Sequence, residues 1–290
     1  MAAGPSDRRD GPLPVGQRII VLLDDSPESM RALETAAGLA RHHRGALLGL
    51  FVEERDLVRS AGFAFAGEIG ATSGGLRQRP AEGVRGEIRR RVRLLRQALE
   101  RIARARGIEH ELVVRRGRVV EEILSFSAPD DLLIVGRVGW SQRLGRTFGS
   151  VPLALARSAP GAVLIWTASR PVPGGRIAVL AENGSTLEPV LAVAHERATL
   201  HQCGISVLLP PGLAPKQIES VRHQANTALD PAEVPHDIRV LTAANPASLI
   251  HALGQARAIE LILSRRGQLL NDPEAARLLE RIRLPVCVAP

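Results

Sequence analysis

Two glycines three residues apart, Gly136 and Gly139, are followed after nine residues by Gly149-Ser150. They come directly after an apolar run, Leu132-Leu133-Ile134-Val135. A glycine lets the main chain approach a neighbour that a Cβ would hold off. Main-chain N–H groups gathered after a buried strand suit the oxygens of a phosphate chain. Ser150 is placed to open a helix, where its hydroxyl either caps the first turn or bonds a phosphate at the positive end of the helix dipole. Arg143 and Arg146, inside the spacer, read equally as neutralisers of a terminal phosphate and as plain loop residues. The chemistry these residues suit is capture of a nucleotide.

Other chemistries find less support. Gly139-Trp140-Ser141 begins like a nucleophile elbow, but Arg143 stands where the closing glycine is needed. Ser73-Gly74-Gly75 reads as a loop. No Ser/His/Asp or Cys/His arrangement can be argued, so no catalytic residue is assigned. Cys203 and Cys287 are far apart, without metal-ligand spacing. They read as buried thiols in a reducing compartment, and no metal ligand is assigned. His42 and His43 fall at a helix end, where cations suit the dipole.

These residues need a frame. Residues 1–17, rich in Gly, Pro and charge, read as a disordered tail, neither signal peptide nor anchor. Arg18 to Leu23 reads as a strand ended by Asp24-Asp25-Ser26-Pro27, and a helix follows with Met30, Leu33, Ala37 and Ala40 on one face. Leu47 to Val52 is a second strand. Leu57, Val58 and Phe63 to Phe65 suggest a short helix. Ala81 to Arg106 predicts a long helix with Ile88, Val92, Leu95, Leu99 and Ile102 in one stripe and six arginines on the opposite face. Gly107 ends it. Strands at Glu111–Val114, Leu132–Val135 and Ala162–Ile165 alternate with two further helices. Such alternation implies a parallel sheet covered on both faces, with ligands at the carboxyl ends of the strands.

The pattern then returns. Arg18-Ile19-Ile20-Val21-Leu22 is echoed by Arg176-Ile177-Ala178-Val179-Leu180, and Asp24-Asp25-Ser26 by Glu182-Asn183-Gly184. Ile205–Leu209 echoes the second strand, Asp131-Leu132-Leu133-Ile134 returns as Glu260-Leu261-Ile262-Leu263, and Val286-Cys287-Val288 closes the series. This is a tandem duplication. The expected organisation is a tail at 1–17, one domain at 18–168, a linker at 169–175 and a second domain at 176–290. Copy two is shorter and lacks both the arginine-faced helix and the glycine pair. Arg265 and Arg266 are expected where backbone would approach phosphate.

The chain of 290 residues carries a net charge of +8, and Lys216 is its single lysine. With no Tyr, two Trp and five Phe, aromatic platforms for bases are scarce, so nucleic acid is disfavoured. No run approaches the length of a membrane span. The expected location is the cytoplasm.

Gly136-x2-Gly139-x9-Gly149-Ser150, on the right strand of a duplicated α/β frame, resembles the ATP-binding signature of the universal stress protein family. The resemblance covers the chain beyond its tail and implies two tandem doubly wound, Rossmann-like domains of the adenine nucleotide α-hydrolase-like kind. It implies that adenine and ribose lie between the tips of strands one and two, at Leu22, Leu23, Asp24 and Val52. Val135, Gly136 and Gly139 would meet ribose and phosphates, and Gly149, Ser150 and Val151 the phosphate tail. Asp24 is the side chain best placed to contact the nucleoside or a metal, or else it caps the next helix. Asp25 stands where many members have glycine, which either weakens binding or favours a nucleotide carrying Mg2+. The implied ligand is ATP, or AMP, held in copy one alone by a regulatory protein; the alternative readings are a slow ATPase or nucleotidyl-transfer enzyme on the same scaffold and a nucleotide-free scaffold that acts through its arginine-faced helix on an acidic partner. The last strands, Ala162–Ile165 and Val286–Val288, are expected to pair as an intramolecular pseudo-dimer; a homodimer is a further expectation.

Overall fold

The computed structural model describes residues 17–24, 26–54, 67–69, 76–78, 81–137, 150–168, 172–182 and 187–290. The first half of the chain runs β1 (Ile19–Leu22), α1 (Pro27–His42), β2 (Leu47–Glu54), β3 (Gly67–Ile69), β4 (Leu76–Gln78), α2 (Ala81–Arg104), β5 (His110–Gly117), α3 (Val119–Phe126), β6 (Leu132–Gly136), α4 (Ser150–Ser158) and β7 (Ala162–Trp166). The second runs β8 (Arg176–Leu180), α5 (Leu187–His201), β9 (Gly204–Leu209), α6 (Pro215–Leu229), β10 (His236–Val240), α7 (Pro246–Gln255), β11 (Ala258–Ser264), α8 (Gln268–Asn271), α9 (Ala275–Arg281) and β12 (Val286–Ala289).

Ten strands form one sheet in the order β10-β9-β8-β11-β12-β7-β6-β1-β2-β5. Neighbours are parallel except β12 and β7, which pair antiparallel with Cys287 opposite Leu164. The inner strands are buried on both faces and therefore read as continuous apolar runs. Ile19, Val21, Leu47 and Ile134 face one side, with α1, α2, α5 and α6; Ile20, Leu48, Leu133 and Val135 face the other, with α3, α4 and α7. Leu95, Leu99 and Ile102 seat α2 on the sheet, each worth about 1.5–3 kcal/mol of burial. Gly107 ends that helix with φ of 64°. The α1 start is built from Ser26, whose hydroxyl accepts from Ser29 N, and from Pro27 in the first turn.

The duplication is visible in the ladders. Ile19 pairs with Leu47 as Ile177 pairs with Ile205, so the spacing between copies is constant across strand, helix and strand. The later echo is corrected. Ile19 faces Leu132 while Ile177 faces Glu260, which puts Glu260 at the place of Leu132 rather than of Asp131. A register irregularity between Ala258 and Glu260 takes up the extra residue. Asp131 instead receives the Arg18 guanidinium, at 2.7 and 2.5 Å. Where α2 has 24 residues, α6 has 15.

Arginines fasten the halves in a reciprocal manner. Arg137, just past β6, donates to the carbonyls of Glu280 (3.1 Å) and Ile282 (3.2 Å) at the end of α9. Arg265, just past β11, donates to the carbonyls of Ala156 (2.9 Å) and Gly161 (2.6 Å) around the end of α4. Arg157 adds bonds to Leu270 O (2.7 Å) and Asp272 O (3.2 Å). Cations suit these helix ends because the last carbonyls lack intrahelical partners. Among the described residues no helix is long and apolar enough to cross a membrane.

Candidate functional site

β1, β2 and β6 are adjacent, so their carboxyl ends lie side by side. Leu22 is half-buried and Leu23 buried, its N–H donating to Leu50 O at 2.9 Å. Leu22 faces Leu50, so Asp24 stands level with Val52 two residues on. Asp24 Oδ1 accepts from Ser26 N at 3.1 Å, which folds the carboxylate into the turn before α1. Val135 and Gly136 end β6 and are buried, and Arg137 N is tied to Trp166 O. Ser150 is exposed as the first residue of α4, and Val151 packs half-buried behind it. The structure thus brings Leu22, Leu23, Asp24, Val52, Val135 and Gly136 to one edge of the sheet. The tail at 1–16, Asp25, the short helix expected near 57–65, Ser73-Gly74-Gly75, the segment holding Gly139, Arg143, Arg146 and Gly149, and the linker residues 169–171 lie outside the described residues.

The second half meets the same place differently. Leu133 and Leu261 occupy matching ladder positions, so Ser264 stands where Gly136 does. By the same count Gly267 takes the place of Gly139; the pair is half retained, a correction to the expectation that it is missing. Glu182, in the position of Asp24, extends across this ground. Its Oε1 accepts from Leu269 N at 2.8 Å, and Gln268 N donates as well. A Cβ on Gly267 would run into the Glu182 carboxylate, so this glycine serves a close approach to an anion that the chain itself supplies. Burial pushes the Glu182 carboxyl above its ordinary range, and the two N–H donors oppose that shift. Arg265 does not enter the crevice: its guanidinium is spent on Ala156 and Gly161 of the other half, and Arg266 is exposed.

Among the described residues no group of three or more His, Cys, Asp or Glu side chains is placed to hold a metal ion. An ion at Asp24 would draw most of its oxygens from phosphate and water, as Mg2+ does with nucleotides. Arg137, Arg157 and Glu182 carry roles that the residue pattern did not assign. The partners of the first two are main-chain carbonyls, which leave no trace in residue types; the signal for Glu182 was its alignment with Asp24.

Residues 16–166, the half that carries the glycine spacing, match the Universal stress protein family. No curated protein matches the sequence. A universal stress protein from Archaeoglobus fulgidus DSM 4304 is similar in structure with a TM-score of 0.69, at 14% identity, over 94% of this chain and 95% of that one. A putative universal stress protein from Pseudomonas aeruginosa UCBPP-PA14 gives 0.57 at 15% identity, over 95% and 93%. At these identities the likeness is one of fold, and it spans both halves. The matched segment is more than half of the chain, so the chain belongs to the universal stress protein family.

Proposed function

We propose that the first half binds an adenine nucleotide, ATP or AMP, and that the second half binds none. The observation that carries this reading is the contrast at the strand tips. Gly136 ends β6 beside β1 with Asp24 turned back into its own loop, whereas the matching ground in the second half is filled by Glu182. In this reading Leu22, Leu23, Asp24 and Val52 border the nucleoside, Val135 and Gly136 run beside the ribose, and Gly139, Gly149, Ser150 and Val151 receive the phosphates through main-chain N–H groups and the helix start. Mg2+ would neutralise phosphate charge, with Asp24 as its one protein ligand among these residues.

The role is regulatory. A nucleotide that binds the folded protein stabilises the occupied arrangement by mass action, without turnover. We read the chain as domains at 18–168 and 176–290 joined at 169–175, with the β7–β12 pairing as the intramolecular counterpart of a dimer seam. Its free cysteines, Cys203 and Cys287, fit a cytoplasmic setting.

The test is mass spectrometry of small molecules released from the purified protein, beside Gly136→Val. Wild type should release about one equivalent of adenine nucleotide per chain, and the variant, with its melting transition retained, should release none. Equal release from both removes Gly136 from the mechanism.

A further inference from the structure

The outward face of α2 carries Arg89, Arg90, Arg93, Arg96, Arg101 and Arg104, all exposed. Arg104 has Glu100 at 3.8 Å; among the described residues the other five have no carboxylate partner. At 100° per residue these six side chains span an arc of about 140° and a length of about 22 Å. Leu94, 51% exposed, borders that arc about 20° beyond Arg101, one turn from Arg90 and two from Arg101. Residues 81–118 hold twelve arginines and five glutamates, so this segment carries seven of the eight net positive charges. The corresponding helix of the second half, α6, is mixed in sign, with Arg222 paired to Glu219.

Such a face has a cost. Arg89 and Arg93, Arg93 and Arg96, and Arg101 and Arg104 are like-charge neighbours at three or four residues, each of which weakens the helix. Solubility alone would be served by alternating signs, as on α6. An opposite charge set against the stripe removes the repulsion, and guanidinium groups match carboxylates in pairs. The choice between an acidic protein and a nucleic acid turns on two observations. An exposed leucine among the arginines suits an apolar side chain, and α2 has no aromatic residue on which a base could stack. We propose that the outer face of α2 docks an acidic amphipathic helix of a partner protein, its carboxylates repeating at the helical period of the arginines.

The probe is a fluorescein-labelled peptide of about 21 residues, long enough to span the stripe, with glutamates at helical spacing beside a leucine stripe. A scrambled peptide of the same composition and a single-stranded deoxythymidine oligonucleotide are run beside it. Binding is read by anisotropy at about 0.15 M salt, where exposed charges are already screened over about 8 Å. The triple variant Arg93→Glu, Arg96→Glu, Arg101→Glu should weaken the patterned peptide by at least about tenfold. Lys216→Glu, Arg222→Glu, Arg277→Glu, with the same change in net charge elsewhere, should weaken it by less than about twofold. Leu94→Ser, which leaves the charge untouched, should weaken it severalfold. Equal losses in the two triple variants, equal binding of the scrambled peptide, or tighter binding of the oligonucleotide overturns the proposal. None of these readouts depends on nucleotide in the first half.

Discussion

In the first half Leu39 and Leu132 fill the core on one face of the sheet; at the matching places in the second half stand Arg197 and Glu260. Both replacements are as buried as the leucines, at 4% and 2% exposure. They form a two-point ion pair, with Nε 2.9 Å from Oε1 and Nη2 2.8 Å from Oε2. The same exchange of interior fittings occurs at the strand tips, where Asp24 reaches the N–H two residues ahead and Glu182, one methylene longer, reaches the start of α8. One backbone plan therefore accepts an apolar or an ionic core, and at its strand tips a carboxylate folded into its own turn or one that reaches a distant helix start. The choice is made by single side chains.

The largest expected break in this comparison is Arg197→Leu. It leaves Glu260 buried without its cation and should cost about 3–5 kcal/mol in urea unfolding. Adding Glu260→Leu gives the second half the fittings of the first and should restore stability to within about 1 kcal/mol, because desolvation offsets most of what the pair contributes. A double variant as unstable as the single one would refute the equivalence. Next comes Gly267→Ala, which forces the new methyl against the Glu182 carboxylate and should cost about 1–3 kcal/mol. In a Glu182→Ala background the same change should cost less than half as much, and full additivity of the two would deny that they touch.

The smallest effect is one of pH. Burial holds the Glu182 carboxyl above the ordinary glutamate value of about 4.3, so the folded state binds this proton more tightly than the unfolded one. The contribution of this group to stability then falls as pH rises from that value through the folded one. Glu182→Gln removes the titration. Its melting temperature, measured from about pH 4 to about pH 7, should gain on wild type as pH rises, while a constant difference between the two speaks against the shift.

Much of the frame was legible in the residues. The stripe Leu95, Leu99, Ile102 faces the sheet as its spacing implies, and the alternation of strands and helices is the one observed. β1 and β6 end at Leu22 and Gly136, within a residue of the expected tips, whereas β2 runs two residues past Val52, to Glu54. Other features left weaker traces. The echo of Asp131 in Glu260 slipped by one residue because the strand irregularity at Ala258–Glu260 has no signature beyond the extra residue itself. That slip also hid the retained Gly267. Arg265 was expected where backbone would approach phosphate and Arg137 had no expected role, yet the partners of both are carbonyls more than a hundred residues away, and every residue type offers a carbonyl. The β3–β4 hairpin, three residues on each side, is too short for periodicity to announce.

The antiparallel seam between β7 and β12 has a consequence for how many of each half a cell assembles. Separate polypeptides carrying these halves would sort among themselves, giving some assemblies with two Gly136 copies and others with two Glu182 copies. Covalent fusion forbids both outcomes: every Gly136 copy is translated already yoked to one Glu182 copy, in fixed one-to-one proportion.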